Sequence, residues 1–279
     1  MKNNSPLLAD GGLKLINGLK HFLKTRKGKA FVVLLLLLTW YGFALPSHLF
    51  KDPTSTVLED SKGTLLGARI APDGQWRFPY DENVPEKFSK ALVLYEDRYF
   101  YRHPGINPGS VWRALKQDIR RKKIVSGGST LSMQVIRLSR KGKSRNLYQK
   151  AIELILATRL EIRFSKKEIL ALYASNAPFG SNVVGLDAAS WRYFGRSPHK
   201  LSWAEAATLA ILPNSPSLIY PGKNQEKLKL KRDKLLQFYL KYLVSCLAIP
   251  GLRSPFPKCS KPMCVMKAVS KQENIAKRR

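Results

Sequence analysis

Two acids close an apolar helical pattern in YEDRYFYRHPG, residues 95–105. Phe88, Leu92 and Tyr95 recur at helical spacing, and Glu96 and Asp97 follow at the end. A carboxylate there, beside aromatic side chains, is placed for a raised pKa and for work as a general base. The same Glu96 also fits an ordinary surface ion pair with Arg98 or another nearby base. His103, Pro104 and Gly105 then break the helix.

Three further stretches have residue types that suit chemistry. Residues 126–134, SGGSTLSMQ, lead from glycines through Ser129 and Thr130 into a helix that carries Gln134. That arrangement presents free backbone N–H groups to an anion, or simply caps a helix. The spacing is not that of a P-loop. Lys150 and Glu153 share a helix face three residues apart, either as a functional pair or as an intrahelical salt bridge. Residues 167–185, KEILALYASNAPFGSNVVG, run from a helix into a loop with glycines at 180 and 185. This loop suits the wall of a pocket or a plain connector.

The elements that must hold these residues are mostly helical. Helical patterns cover 109–123, 130–140, 146–164, 166–175, 184–194, 202–212 and 226–244, and a further one begins after Pro85. Before residue 80, STVLED, TLLGARI and QWRF read as short strands separated by Lys62-Gly63 and Asp73-Gly74 turns. No convincing strand is read after residue 80. The fold class is therefore mainly α with a short N-proximal β element.

Residues 30–45, AFVVLLLLLTWYGFAL, carry no charge. Sixteen helical residues span roughly 24 Å, somewhat less than a bilayer core of roughly 30 Å. Lys24, Arg26, Lys27 and Lys29 precede the run, so the positive-inside rule puts the N-terminus in the cytoplasm. A cleaved signal peptide is the rival, but the lead is long and no A-x-A site follows. The expected organisation is a basic cytoplasmic tail at 1–29, a single transmembrane anchor at 30–45, a catalytic domain at 46–244, and a basic, disordered tail at 245–279. Pro-rich residues 250–264 motivate the last boundary.

Among the 279 residues, Lys and Arg outnumber Asp and Glu by 49 to 19, and the net charge is +30. The excess runs along the whole chain and calls for a polyanionic partner. An anchor that puts the body outside the cytoplasm argues against nucleic acid. All three cysteines, Cys246, Cys259 and Cys264, lie near the C-terminus without zinc-ligand spacing.

Taken in order, the four stretches resemble the motifs of the family 51 glycosyltransferases, the peptidoglycan polymerases. The pattern E-D-x-x-F-x-x-H-x-G is met by Glu96, Asp97, Phe100, His103 and Gly105. Gly127, Gly128, Ser129, Thr130, Leu131 and Gln134 meet G-G-S-T-[LI]-x-x-Q. Lys150 and Glu153 meet R-K-x-x-E, with Gln149 in place of the Arg. Lys167, Ile169, Leu170, Tyr173 and Gly180 meet the fourth motif, with Ser175 where the family has Asn and Asn176 beside it. LSWAEAATLAILPNSPS at 201–217 and KRDKLL at 231–236 extend the likeness. INPGSVWRA, NAPFG and GLDAASWRYFG resemble the 1C type of class A penicillin-binding protein. No transpeptidase motif accompanies them.

The resemblance implies a lysozyme-like helical fold and polymerisation of lipid II into glycan with loss of undecaprenyl diphosphate. It makes Glu96 the general base and puts Glu153 on the diphosphate side, through hydrogen bonds or a Mg or Mn ion. Lys150 would neutralise phosphate. Arg98, His103, Ser129, Thr130, Gln134, Arg137, Ser175 and Asn176 would bind substrate. The implied location is the periplasmic face of the bacterial inner membrane. The implied partners are lipid II, the growing strand and a separate transpeptidase. The departures at Gln149 and Ser175 keep a second reading open: a lipid-diphosphate-binding protein of the same fold with little turnover.

Overall fold

A computed structural model describes residues 21–121, 128–141 and 146–248. The expectations for 1–20, for Ser126 and Gly127, and for the tail beyond Ala248 lie outside the described residues. The chain divides into two units, one ending at Ser47 and the other beginning at His48.

The first unit carries helix α1, Arg26–Phe43, which Thr25 caps by accepting from the Gly28 N–H at 3.0 Å. The uncharged part of α1 starts at Ala30, and the helix ends at Phe43 rather than Leu45. Its first turn is basic, which shortens the apolar length. Among the described residues, no helix is long and apolar enough to cross a membrane. The expected span over 30–45 is corrected to that extent.

The second unit opens with the expected hairpin. β1 (Thr56–Glu59) and β2 (Leu65–Arg69) pair antiparallel, from Thr56 against Arg69 to Glu59 against Leu65, with a bulge at Leu58/Glu59. Asp60 Oδ1 accepts from the N–H groups of Lys62 and Thr64 and fixes the turn.

β3 is only Trp76–Arg77. It does not continue the hairpin but pairs in parallel with β5, Val183–Val184. β5 in turn pairs antiparallel with β4, Pro178–Gly180. The sequence reading found no strand after residue 80, and these two are the correction. At three and two residues they are too short to show a period.

Helices make up the rest: α2 (Glu86–Glu96), α3 (Pro108–Arg121), α4 (Leu131–Ser139), α5 (Leu147–Arg163), α6 (Lys166–Asn176), α7 (Leu186–Phe194), α8 (Trp203–Ile211) and α9 (Gln225–Ala248). α9 continues past 244, where the tail was expected to begin. Local chemistry starts these helices where the sequence places polar caps. Thr130 caps α4, Asn146 caps α5, and capping boxes of Ser165 with Glu168 and Ser202 with Glu205 open α6 and α8.

α2 packs on α8 and α9, while α4 packs on α5 and α6. Phe88, Leu92, Phe100, Leu131, Met133, Leu160, Ile169, Phe179 and Leu209 are fully buried between them. This core fixes the end of α2 against the start of α4, and the candidate site is built there.

Candidate active site

Glu96 is the last residue of α2. Its Oε2 accepts from Gln134 Nε2 at 2.8 Å, while its buried Oε1 has no protein partner in hydrogen-bond geometry. Burial pushes the carboxyl above its ordinary value. The Gln134 hydrogen bond, the nearby Asn214 amide and the charge of Lys231 pull it down, and Asp97 adds to the rise. The expected alternative, a surface pair with Arg98, is not what forms. The Arg98 guanidinium lies over the Phe238 ring of α9 at 4.7 Å.

Glu96 opens on a cleft of about 360 Å³. Arg98, Asn107, Arg113, Ser129 and Thr130 are among its walls. α3 therefore contributes Arg113 from the stretch read as helical at 109–123.

Asp97 also borders the cleft, but its carboxylate turns to the protein. Its carboxylate meets His103 Nε2 at 3.0 and 3.1 Å and accepts the Leu131 N–H at 3.1 Å. One buried acid thus ties the end of α2, the following turn and the N-terminus of α4. The Asp97 carboxylate can only accept, so His103 Nε2 donates to it, while Nδ1 is buried without a partner. His103 belongs to this support and not to the cleft wall.

Gly105 completes the turn at φ 86°, and its carbonyl accepts from the Thr130 hydroxyl at 2.6 Å. Behind it, Lys166 Nζ donates to the His103 carbonyl at 2.7 Å and to Glu161 Oε1 at 2.7 Å. Ser132 also donates to Glu161.

Beside the cleft, Arg137 grips Glu153. Nε donates to Oε1 at 3.1 Å and Nη2 to Oε2 at 3.0 Å, while Nη2 also donates to Ser129 Oγ at 3.1 Å. Sequence spacing paired Glu153 with Lys150 on one helix; the fold gives it to Arg137 on another. Lys150 is half-buried one turn before Glu153. Ser175 is buried, and Asn176 turns its amide back to the Leu172 carbonyl at 2.9 Å. Both Glu153 oxygens are held by Arg137, and among the described residues no group of three His, Cys, Asp or Glu stands together as a metal site.

Sequence reasoning missed Asn214, Lys231 and Tyr173 as neighbours of Glu96. All three lay in stretches already singled out, but their approach depends on how α6, α8 and α9 fold together.

The family model described as Transglycosylase matches residues 65–239. The chain belongs to the transglycosylase family. Penicillin-binding protein 1C of Escherichia coli strain K12 is 42% identical over 214 residues, covering 73% of this chain and 27% of that protein. Penicillin-binding protein 1A of Aquifex aeolicus strain VF5 is 35% identical over 188 residues, 67% of this chain and 26% of that one. This transglycosylase chain thus spans about a quarter of the length of the curated relatives it matches. A crystal structure of penicillin-binding protein 1A from Haemophilus influenzae aligns over 82% of this chain and 25% of that one, at 19% identity and a TM-score of 0.36, too distant to argue from.

Proposed function

We propose that this transglycosylase polymerises lipid II into peptidoglycan glycan strands. The observation that carries the reading is the state of Glu96: a buried carboxylate with one oxygen held by Gln134 and the other unpartnered, at a cleft with basic walls.

The reaction needs a base for a weakly acidic sugar hydroxyl. It also needs positive charge where a diphosphate departs. Glu96 takes the proton from the acceptor's 4-hydroxyl as that oxygen attacks the donor's anomeric carbon. The bond from that carbon to the diphosphate oxygen breaks, the diphosphate leaves with the electron pair, and the configuration inverts from α to β. Arg98, Arg113, Arg137 and Lys150 supply the positive field for the leaving group. Ser129 orients Arg137, and Thr130 locks the loop through Gly105. Glu153 holds the Arg137 fork in place. Asp97 and His103 position both helices and do not touch substrate. Ser175 and Asn176 shape the wall after α6.

The fold reading that accompanies this function is lysozyme-like. The location is the outer face of the bacterial inner membrane. α1 supports it, because Phe31, Val33, Leu34 to Leu38, Trp40 and Phe43 are all exposed around the helix. A helix apolar on every side belongs in lipid or in a core, and basic Lys24, Arg26, Lys27 and Lys29 precede it. The growing strand and a transpeptidase are the partners of this reading.

The test uses labelled lipid II and the detergent-solubilised full chain. Polymer that a muramidase digests to disaccharide units establishes β-linked glycan. Release of diphosphate lipid without polymer would contradict glycan synthesis.

A further inference from the structure

Behind Glu96 stand two more side chains in line. Gln134 on α4 donates through Nε2 to Glu96, and its Oε1 lies 3.5 Å from the Tyr173 hydroxyl on α6. Tyr173 is among the largest fully buried side chains, 1% exposed, and its burial drives the hydroxyl well above the ordinary tyrosine range. It therefore stays protonated and has a proton to donate.

An amide presents two ends of like shape and opposite polarity. Turned over, Gln134 would set its carbonyl oxygen against the Glu96 carboxylate, and the base would lose its donor. The carboxylate itself disfavours that turn, and a donor at the far end of the amide adds to the preference. We propose that Tyr173 is a positioning residue for the general base: its hydroxyl donates to Gln134 Oε1 and so keeps the amide nitrogen turned toward Glu96. The inference rests on the reading of Glu96 as that base. At 3.5 Å the Tyr173 contact is a long hydrogen bond.

The consequence is electrostatic. A hydrogen bond to the charged form favours that form. Held by Gln134, Glu96 stays ionised at a lower pH than its burial alone would allow. The other groups that face Glu96 are Asp97 and Tyr95 along the chain, Lys231 from α9, and Asn214 from the turn at Leu212–Asn214. Arg137 on α4 acts on Tyr173. Tyr173→Phe leaves every one of these residues in the chain, and the comparison with Gln134→Met separates the path through the amide.

The experiment titrates Glu96 directly in the solubilised full chain. Carbon-13 labelled glutamate is followed by isotope-edited infrared spectroscopy, with the Glu96 band assigned by its loss in Glu96→Gln. Tyr173→Phe is expected to move the Glu96 midpoint upward by about 0.5–1 pH unit. Gln134→Met is expected to move it at least as far. The double variant should move it no further than Gln134→Met alone, because the two residues act in series. Turnover of lipid II should show the same upward shift in its acid limb for Tyr173→Phe, with KM within twofold of the parent.

A tyrosine that merely fills the core would lower the melting temperature and leave the Glu96 midpoint unmoved. That result overturns the proposal, as does a Tyr173→Phe shift that adds to that of Gln134→Met. An unmoved midpoint in Gln134→Met also overturns it, and this variant decides the matter if Tyr173→Phe does not fold. Shifted midpoints in a chain that makes no glycan would leave the relay standing and remove the glycosyltransferase reading. Glycan synthesis with unmoved midpoints would do the reverse.

Discussion

Arg137 and Glu153 meet across α4 and α5 as a fork, with Nε to Oε1 at 3.1 Å and Nη2 to Oε2 at 3.0 Å. The Glu153 side chain is 11% exposed and that of Arg137 is 37% exposed. The carboxylate is thus the buried partner, and the cation stands at the edge of the cleft, with Ser129 as its second contact. This orders the consequences of cutting the pair. Removing the cation strands a buried charge, while removing the charge of the acid frees a cation that water can reach.

Arg137→Met is therefore expected to cost stability. A fully buried pair would lose about 3–5 kcal/mol on losing one partner. The exposure of Arg137 reduces this to about 1–2 kcal/mol. For a domain of this size that is about 2–8 °C in melting temperature. Glu153→Gln should melt closer to the parent. Thermal melting of both variants checks the order, and an unchanged Arg137→Met would show that Glu153 is not held as a buried charge.

Glu96 sets the acid limb of activity. Its carboxyl is raised by burial above the ordinary value, and a base must be ionised to act. The rate constant kcat/KM should fall as pH drops through a midpoint above 4.5, the ordinary glutamate value. The stability effect has the opposite sense. With its folded-state pKa raised, Glu96 costs nothing below the unfolded pKa, and its cost grows as pH rises toward the folded pKa. Glu96→Gln should accordingly melt higher than the parent at pH 7 while losing turnover. A pH series of melting and rate measurements reads both.

Asp187, in the first turn of α7, offers the same physics away from the cleft. Burial, with Asp81 and Glu59 adding to it, lifts its pKa to about 6 from 3.8. Its cost to stability should be absent below pH 4, grow between about 4 and 6, and stay constant above. Asp187→Asn should stabilise the protein at pH 7 by on the order of 3 kcal/mol and leave it unchanged near pH 3.5. Denaturant melts at the two pH values separate these outcomes.

Gly105 has φ 86°, and a Cβ built there would lie 2.6 Å from the Ala157 carbonyl oxygen of α5. Gly105→Ala combines left-handed backbone strain with a backbone clash. It should push the turn off α5 and weaken the Thr130 contact to the Gly105 carbonyl. A fall in melting temperature of several degrees and a loss of activity beyond tenfold are expected, on the scale of about 1–3 kcal/mol of strain.

Much of this was legible because local rules were enough. Phe88, Leu92 and Tyr95 announced α2, and Thr130 announced α4. Gly105 stood where the chain had to turn sharply. The pairings were hidden wherever the partner came from another element. Asp97 reaches Leu131, 34 residues away; Arg137 displaces Lys150 as the partner of Glu153; Tyr173 finds Gln134 across two helices. Strands β4 and β5 were missed for the same reason, since two or three residues have no period and become strands only by pairing with each other and, for β5, with β3. The apolar run at 30–45 showed its composition but not where the helix would end.

The most direct test is glycan synthesis from labelled lipid II by the solubilised parent chain and by Glu96→Gln, side by side at pH 7.5. The predicted result is polymer from the parent and a fall of about 10²–10⁴-fold in the variant, with lipid II binding retained in both. Turnover in Glu96→Gln within tenfold of the parent would contradict the role of Glu96, and a folded parent that binds lipid II yet makes no polymer would contradict the enzyme.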